Sequence, residues 1–327
     1  MNKNVSIAIA TALVMNSGVA NAQEAVNIGK HNITLSKDVM TPETLWAMGR
    51  IGSAQASPDG SKIVYQVGYY SVKENKGHQV IYVMNADGKN ARQLTTSAKS
   101  ESSPAWLDNN TIAFLYEGQV WTMNADGTNR KKLSSSDIEI EGFRFSPDGK
   151  KVLLIKSLPY HGTIKKNPSD LPKASGRLIT DMNYRHWDHY VETIAHPFVA
   201  EVTANGISKN DIDIIEGEPY ESPLAPFGGI EQFDWSKDSK QIAYTCRKKE
   251  GVKYAVSTDS DIFLYNLETK KTVNLCKPAD YVEPEIDMTK TLRNQKVNHQ
   301  DGDFNVGYDV NPKFSPDGKY IAWQSMK

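Results

Sequence analysis

The chain has 327 residues, of which 39% are hydrophobic and 24% are charged. This length is enough for one large domain or two ordinary domains with hydrophobic cores. The 38 basic and 39 acidic residues give a formal net charge of −1, which argues against a nucleic-acid-binding protein because such proteins carry a basic excess. The 2 cysteines cannot form a disulfide scaffold or, by themselves, a four-ligand zinc site.

The start of the chain has the organisation of a secretory signal peptide. Lys3 gives a positive start, residues 5–14 are uncharged and mostly apolar, and Ala20 and Ala22 supply the small residues that precede a cleavage site. The apolar run is too short to span a bilayer, and no later segment is long enough. We therefore expect a signal peptide over residues 1–22 and an exported protein without a membrane span, located in the periplasm of a Gram-negative bacterium.

Residues 23–49 are predicted to form an N-terminal segment that contains one short helix. Thr41 is suited to cap this helix, Pro42 to occupy its first position and Gly49 to end it. From Arg50 onward the pattern changes to short β-type runs separated by turn residues, which indicates a second region over residues 50–327.

A four-residue turn motif recurs through this second region. Ser-Pro-Asp-Gly occurs three times, and Ser236–Ser239 is a diverged copy. A β-type run follows each turn, and an aromatic or apolar residue usually comes directly before the turn. Pro presets φ at the first corner while Asp and Gly close the turn, so each block is typical of a strand, a turn and a strand. The identical copies are Ser57–Gly60, Ser146–Gly149 and Ser315–Gly318.

A second hairpin signal follows in register, since Ile81–Gly88 and Val120–Gly127 both end in Asn-Ala-Asp-Gly. Two hairpins per unit give four antiparallel strands with a period of about 40 residues, which is typical of a propeller blade. A plain β-sandwich explains short strands but not identical turns at a fixed place in each unit. We predict an all-β fold, a β-propeller of four-stranded antiparallel blades.

The number of units predicts an incomplete ring. The fifth unit reaches only its second strand, so about four and a half blades are present. An open propeller leaves a strand edge and part of its core exposed, and we therefore expect the chain to be a fragment of a longer protein. The units start near Arg50, Ser102, Ile140, Ile230 and Asn311.

Four segments carry a resemblance to a known family. Met40–Trp46, between a signal peptide and Ser-Pro-Asp-Gly blades, resembles the start of the propeller of exported prolyl oligopeptidase-family serine peptidases. Met182–Asp188, His196–Val199 and Asp309–Trp323 are similar to the dipeptidyl-peptidase 5-like branch. In that family the propeller precedes an α/β-hydrolase domain with a Ser–Asp–His triad, restricts entry to short peptides and helps to bind them. The resemblance therefore implies short peptides and a hydrolase domain as partners.

The chain departs from the family at the catalytic residues. A nucleophile elbow needs Gly-x-Ser-x-Gly, and no serine here has Gly at both −2 and +2. We therefore assign no catalytic residue. We expect the hydrolase domain to lie beyond Lys327, and we expect the chain alone to be inactive. The alternative is a non-enzymatic periplasmic propeller that binds a protein partner, similar to Tol-system propellers. The long insertion at Thr180–His196 favours the peptidase interpretation.

Two long insertions, Ser157–Ala195 and Lys277–Val310, are expected on one face of the propeller because of the strands they connect. In the first, Asp188 and Glu192 are spaced i, i+4 and would share one face of a helix. These two carboxylates could hold the α-ammonium of a substrate. An equally open alternative is that they are solvated, or that they pair with Arg185. The candidate substrate-binding residues are Tyr184, Arg185, Asp188 and Glu192.

We predict no metal site and no cofactor. The histidines near the first insertion lack the His-Glu-x-x-His order of zinc peptidases, and a loop packed by aromatic residues is the favoured interpretation. Cys246 and Cys276 are expected at the ends of the second and fourth strands of one blade, roughly 9–10 Å apart. That distance is beyond the reach of a disulfide, so free thiols are favoured. The histidines concerned are His186, His189 and His196.

The first prediction concerns acyl-transfer chemistry. Purified chain is expected to give no labelling with a serine-directed fluorophosphonate, because neither an activated serine nor an oxyanion hole is visible in the sequence. Mass spectrometry of the treated chain measures this directly. Stoichiometric labelling of one serine would contradict the prediction.

Overall fold

The structure of the protein is a computed structural model. The structure describes residues 28–33, 39–160, 163–164, 173, 175, 178–179, 181, 190–282 and 307–326.

The described chain forms consecutive antiparallel sheets, and in the first two the four strands lie side by side in chain order. Each strand pairs with its neighbours through a short turn, as expected of a propeller blade. Blade 1 consists of β1 (Arg50–Ala56), β2 (Lys62–Ser71), β3 (Lys76–Asn85) and β4 (Arg92–Gln93). Blade 2 consists of β5 (Glu101–Trp106), β6 (Thr111–Tyr116), β7 (Gln119–Asn124) and β8 (Lys131–Lys132).

The next three sheets follow the same plan, with one inserted hairpin and two strands in the last sheet. The predicted fold class is confirmed: the protein is an all-β propeller of four-stranded blades, and its ring is not closed. Blade 3 consists of β9 (Ile140–Phe145), β10 (Lys151–Pro159), β13 (Thr193–Thr203) and β14 (Gly206–Asp213), and β11 (Thr163–Ile164) pairs with β12 (Leu178–Ile179). Blade 4 consists of β15 (Phe233–Trp235), β16 (Gln241–Cys246), β17 (Asp261–Asn266) and β18 (Lys271–Asn274), and blade 5 of β19 (Tyr308–Phe314) and β20 (Ile321–Met326).

In the described part of the chain, two short α-helices and one turn of 3-10 helix (Ile230–Gln232) lie outside the sheets. α1 (Pro42–Ala47) begins as predicted, with Thr44 N donating to Thr41 Oγ1 at 3.2 Å, but it ends before Gly49. α2 (Gly251–Val256) lies between β16 and β17 and was not predicted. No helix in the described part of the chain has the length and apolar character needed to cross a bilayer.

The Ser-Pro-Asp-Gly turns fold as their composition predicts. Gly60 N donates to Ser57 O at 2.8 Å, and Gly60 takes φ +70°, the left-handed region that favours glycine. Ser57 Oγ donates to Asp59 Oδ1 at 2.6 Å and accepts from Lys62 N at 3.0 Å. In the diverged copy, Ser239 takes the same backbone conformation with φ +61°. Each turn is therefore specified by its own residues.

The hydrophobic core consists of layers between neighbouring blades. Because side chains alternate along a strand, each central strand supplies two layers. On β6, Ile112 and Phe114 pack with blade 1, whereas Ala113 and Leu115 pack with blade 3. The largest layer joins blades 3 and 4 and includes Leu153, Ile155, Val199, Phe233, Trp235, Ile242, Tyr244 and Phe263.

Tryptophan side chains connect the innermost strands of neighbouring blades. Trp106 Nε1 donates to Gln55 O at 3.1 Å, and Trp235 Nε1 donates to Arg144 O at 3.0 Å. The same bond thus recurs at the boundaries between blades 1 and 2 and between blades 3 and 4. It explains why an aromatic residue precedes the turn in these two blades, because an indole can donate a hydrogen bond while it packs.

Asp234 connects three blades through one carboxylate. Arg144 Nη1 of blade 3 donates to Asp234 Oδ1 at 2.7 Å, and Phe314 N of blade 5 donates to Asp234 Oδ2 at 2.8 Å. The side chains of Arg144 and Asp234 are 29% and 19% exposed. Loss of this carboxylate would therefore leave a cation and a backbone N–H without their acceptor.

The second prediction tests this connection. Asp234→Ala is expected to lower the free energy of unfolding by about 2 kcal/mol, because two charge-assisted hydrogen bonds are lost together. Urea unfolding followed by far-ultraviolet circular dichroism measures the change. The control is Asp137→Ala. The Asp137 side chain is 93% exposed, and its Oδ1 lies 3.5 Å from Lys209 Nζ. Because such surface ion pairs contribute little, the free energy of unfolding of this variant is expected to change by at most about 0.5 kcal/mol. Equal effects in the two variants would contradict the prediction.

The third prediction concerns pH. The Ser57 hydroxyl, together with Ser61, lowers the pKa of Asp59 from about 3.8 to about 2. Ser57→Ala is expected to move this pKa back towards 3.8, as followed by NMR titration of the Asp59 carboxyl carbon. Because the folded-state pKa is depressed, the bond stabilises the fold above pH 4 and this contribution is lost as the pH falls towards 2. Ser57→Thr, which keeps the hydroxyl, is the control, and an unchanged pKa in Ser57→Ala would refute the assignment.

Candidate functional site

The two long insertions leave the propeller on one face, which we call the insertion face. The first insertion joins β10 to β13, the second and third strands of blade 3, and the second joins β18 to β19, that is, blade 4 to blade 5. In an antiparallel meander these two kinds of connection lie on the side opposite the tight first-to-second-strand turns. The strand order thus agrees with the expectation. The strands are longer than predicted, since Pro159 pairs with Thr193 and the first insertion shortens to residues 160–192.

An acidic pocket opens on the insertion face. Its volume is about 470 Å³, and its walls come from the start of β9, the end of the first insertion and the connection between blades 3 and 4. Three glutamates line it, and no lysine or arginine does among the residues that the structure describes. Apolar, small and hydroxyl-bearing residues complete the walls. The glutamates are Glu141, Glu192 and Glu221, and the apolar wall includes Val191, Ala195, Pro223, Ala225 and Pro226.

Glu221 is held firmly at the bottom of this pocket. Its side chain is 3% exposed, and Oε1 accepts a hydrogen bond from the Tyr254 hydroxyl of α2. The next residue ties the segment to β13, since Ser222 N donates to Ala195 O at 2.9 Å. The Ser222 hydroxyl also donates to Thr245 O at 2.7 Å. The carboxylate of Glu221 therefore has a fixed position relative to blades 3 and 4.

Glu192 is the one predicted substrate-binding residue that the structure describes. It is half-buried and lines the acidic pocket. Its backbone oxygen accepts a hydrogen bond from Tyr160 N at 2.8 Å. Tyr184, Arg185 and Asp188 lie outside the described residues. The predicted grouping of Asp188 with Glu192 thus stays a prediction.

Sequence reasoning missed the other two glutamates of the pocket. Glu141 is exposed near the start of β9, and Glu221 lies in the proline-rich connection that follows β14. One signal indicates this connection without singling out Glu221. The connection combines three acidic residues with several prolines: Glu216, Glu218, Glu221, Pro219, Pro223 and Pro226. Glu141 has no comparable signal, because its role depends on the approach of a connection about eighty residues away in the sequence.

His196 has a structural partner on its own blade. Its Nδ1 lies 2.8 Å from Asp213 Oδ2, and the two side chains are 4% and 11% exposed. Beside it, Lys156 Nζ lies 2.6 Å from Asp211 Oδ2. None of these four residues lines the acidic pocket. His186 and His189, which the sequence places near His196, lie outside the described residues.

Both cysteines are buried thiols in blade 4. Cys246 Sγ donates to Glu221 O at 3.5 Å, and burial raises the pKa of this thiol. Cys276 follows β18 and its Sγ accepts from Ile262 N at 3.3 Å. Burial raises the pKa of Cys276 to about 12, and in both residues it disfavours the thiolate, which is the nucleophilic form.

Comparison with known proteins gives relatives over the whole chain. No protein-family model matches it. A dipeptidyl-peptidase 5 of Porphyromonas gingivalis is 41% identical over 332 aligned residues, which cover 100% of this chain and 43% of that protein. A dipeptidyl-peptidase 5 of Porphyromonas endodontalis is 36% identical over 90% of this chain and 39% of its own length. An acylaminoacyl peptidase structure from Pyrococcus horikoshii matches 69% of this chain and 32% of its own, with 13% identity and a TM-score of 0.48. The chain thus spans about two fifths of the length of the curated relatives it matches.

Proposed function

We propose that this chain, which is homologous over its whole length to part of the dipeptidyl-peptidase 5 proteins, is the propeller portion of an exported serine dipeptidyl or oligopeptidase. In this proposal it admits and binds short peptides for an α/β-hydrolase domain that supplies the catalytic residues. The full enzyme would hydrolyse peptide bonds near the amino terminus of its substrates.

The observation that carries the proposal is the acidic pocket on the insertion face. Glu141, Glu192 and Glu221 line it without a lysine or arginine among the described residues. Such a pocket favours a cation, and a peptide with a free amino terminus presents an ammonium with three donors. Charge-assisted hydrogen bonds from an ammonium to carboxylates are about twice as strong as neutral ones. The pocket therefore suits the first residue of a peptide.

The walls of the pocket support the same ligand. Val191, Ala195 and Pro223 provide apolar surface beside the glutamates, and ligand sites commonly combine apolar walls with a few fixed polar groups. In our proposal Glu192 anchors the ammonium. Tyr184, Arg185 and Asp188 belong to the same insertion, and we propose that they contact the peptide beyond its first residue.

The fourth prediction tests the ammonium anchor. This chain is expected to bind a tetrapeptide with a free amino terminus about ten-fold more tightly than the same peptide with an acetylated amino terminus, since acetylation removes the charge. Glu192→Gln is expected to abolish this difference, because it keeps the size of the side chain and removes its charge. Isothermal titration calorimetry measures both affinities.

The matched control is Glu268→Gln. Glu268 lies at the turn between β17 and β18, is 63% exposed and pairs with Lys240 at 2.7 Å, so its substitution should leave the preference unchanged. Equal affinity of this chain for the free and the acetylated peptide would refute the proposed role of the pocket.

A further inference from the structure

A second group of chemically active side chains lies where blade 4 meets blade 5. Asp261 begins β17, Cys276 follows β18 and Asp309 belongs to β19. One carboxylate oxygen of each aspartate and the sulfur of Cys276 all lie within 4.8 Å of one another. The three residues are 8%, 5% and 0% exposed. We call them the Asp–Cys–Asp group.

The strands around this group hold it in place. Asp309 N donates to Ser260 Oγ at 3.1 Å, and Ser260 Oγ donates to Asp309 O at 3.0 Å. Asp309 Oδ1 accepts from Trp323 Nε1 at 3.2 Å. The backbone of blade 5 is thus bonded to that of blade 4 at the point where the three side chains converge.

The carboxylate of Asp261 has an oxygen that the described residues do not bond. Its Oδ2 accepts from Lys277 Nζ and from Asn274 Nδ2, each at 2.9 Å. Its Oδ1 is buried and has no hydrogen-bond partner among the described residues. A buried carboxylate oxygen without a partner is costly, and this cost is relieved if the oxygen binds a ligand.

Neighbouring Asp259 differs from Asp261 in the number of its cationic partners, although its Oδ1 is also buried without a hydrogen-bond partner among the described residues. Asp259 Oδ2 lies 2.7 Å from Lys277 Nζ and 3.0 Å from Lys249 Nζ. Among the described residues, Asp261 pairs with one ammonium group, that of Lys277, at 2.9 Å. The carboxylate of Asp261 therefore has fewer cationic partners than that of Asp259.

The sulfur of Cys276 is also arranged as a ligand. It accepts a hydrogen bond from the backbone N–H of Ile262 at 3.3 Å. Backbone donors to sulfur recur around metal-bound thiolates, where they stabilise the negative sulfur. A bound divalent ion deprotonates a coordinating thiol outright, so the high pKa of the free thiol does not prevent binding and a proton is released instead.

From this geometry we propose that Asp261, Cys276 and Asp309 form a binding site for a divalent transition-metal ion of the zinc class. The site lies between blade 4 and blade 5. One sulfur and two oxygen donors suit zinc or cobalt and disfavour magnesium and calcium, which take oxygen ligands alone. Three protein ligands leave a fourth position for water in a tetrahedral site. The ion would add a direct bond between the two blades.

The fifth prediction uses Co²⁺ as the probe. Titration of the metal-free chain with Co²⁺ is expected to produce a thiolate-to-cobalt absorption band that saturates at about one ion per chain. Cys276→Ser is expected to lose the band. Cys246→Ser is the matched control, since Cys246 lies opposite Asp261 on β16 but outside the group, and the band is expected to remain there.

Two further measurements keep the proposal open to refutation if Cys276→Ser does not fold. Asp261→Asn keeps the thiol and is expected to weaken Co²⁺ binding at least ten-fold. Zn²⁺ is expected to raise the melting temperature of the unsubstituted chain by several degrees, and Mg²⁺ is expected to leave it unchanged. The proposal would be overturned if the unsubstituted chain gave no cobalt band, or if the band persisted at equal strength in Cys276→Ser. The Asp–Cys–Asp group would then be explained by a protonated thiol that is bonded to Asp309.

Discussion

The blades of this protein are thin sheets that have apolar side chains on both faces, so each blade must be covered on both sides by other blades. The two faces of β6 show the constraint: Phe114 belongs to the layer shared with blade 1, and Leu115 to the layer shared with blade 3. Hydrophobic burial of this kind is the main favourable term in folding. The stability of a blade therefore depends on its neighbours, and polar connections such as Asp234 with Arg144 and Phe314 fix how neighbours are oriented.

Features that depend on a few adjacent residues were predictable from the sequence. The Ser-Pro-Asp-Gly and Asn-Ala-Asp-Gly turns form as expected because the polar side chains and the glycine that make each turn lie within four residues. Gly149 and Gly127, for example, take φ +67° and +88°. The order of the strands follows from these turns. Helix α2 was missed because its six residues show no clear apolar periodicity, and the full length of β10 and β13 was missed because strand ends depend on pairing rather than on local composition.

The candidate site was predictable only in part, because it forms where distant segments meet. The insertion face follows from the order of the strands, and Glu192 follows from its place in the insertion. Glu141, at the start of β9, and Glu221 join it because the connection between blades 3 and 4 approaches the end of the first insertion. The Asp–Cys–Asp group is a stronger case, since Asp309 reaches the other two residues only when blade 5 packs on blade 4. Neither arrangement has a signature at fixed sequence spacing, in contrast to the turns.

The bonds from tryptophan across the blade boundaries have an optical consequence. The emission of an indole depends on its surroundings, and Trp106 and Trp235 are 8% and 5% exposed while each donates to the backbone of the preceding blade. Separation of two blades would expose these rings to water even if each sheet kept its strands. Trp46 of α1, at 41% exposure, already contacts solvent. The protein thus contains natural fluorophores that report on the docking of its blades separately from the formation of its strands.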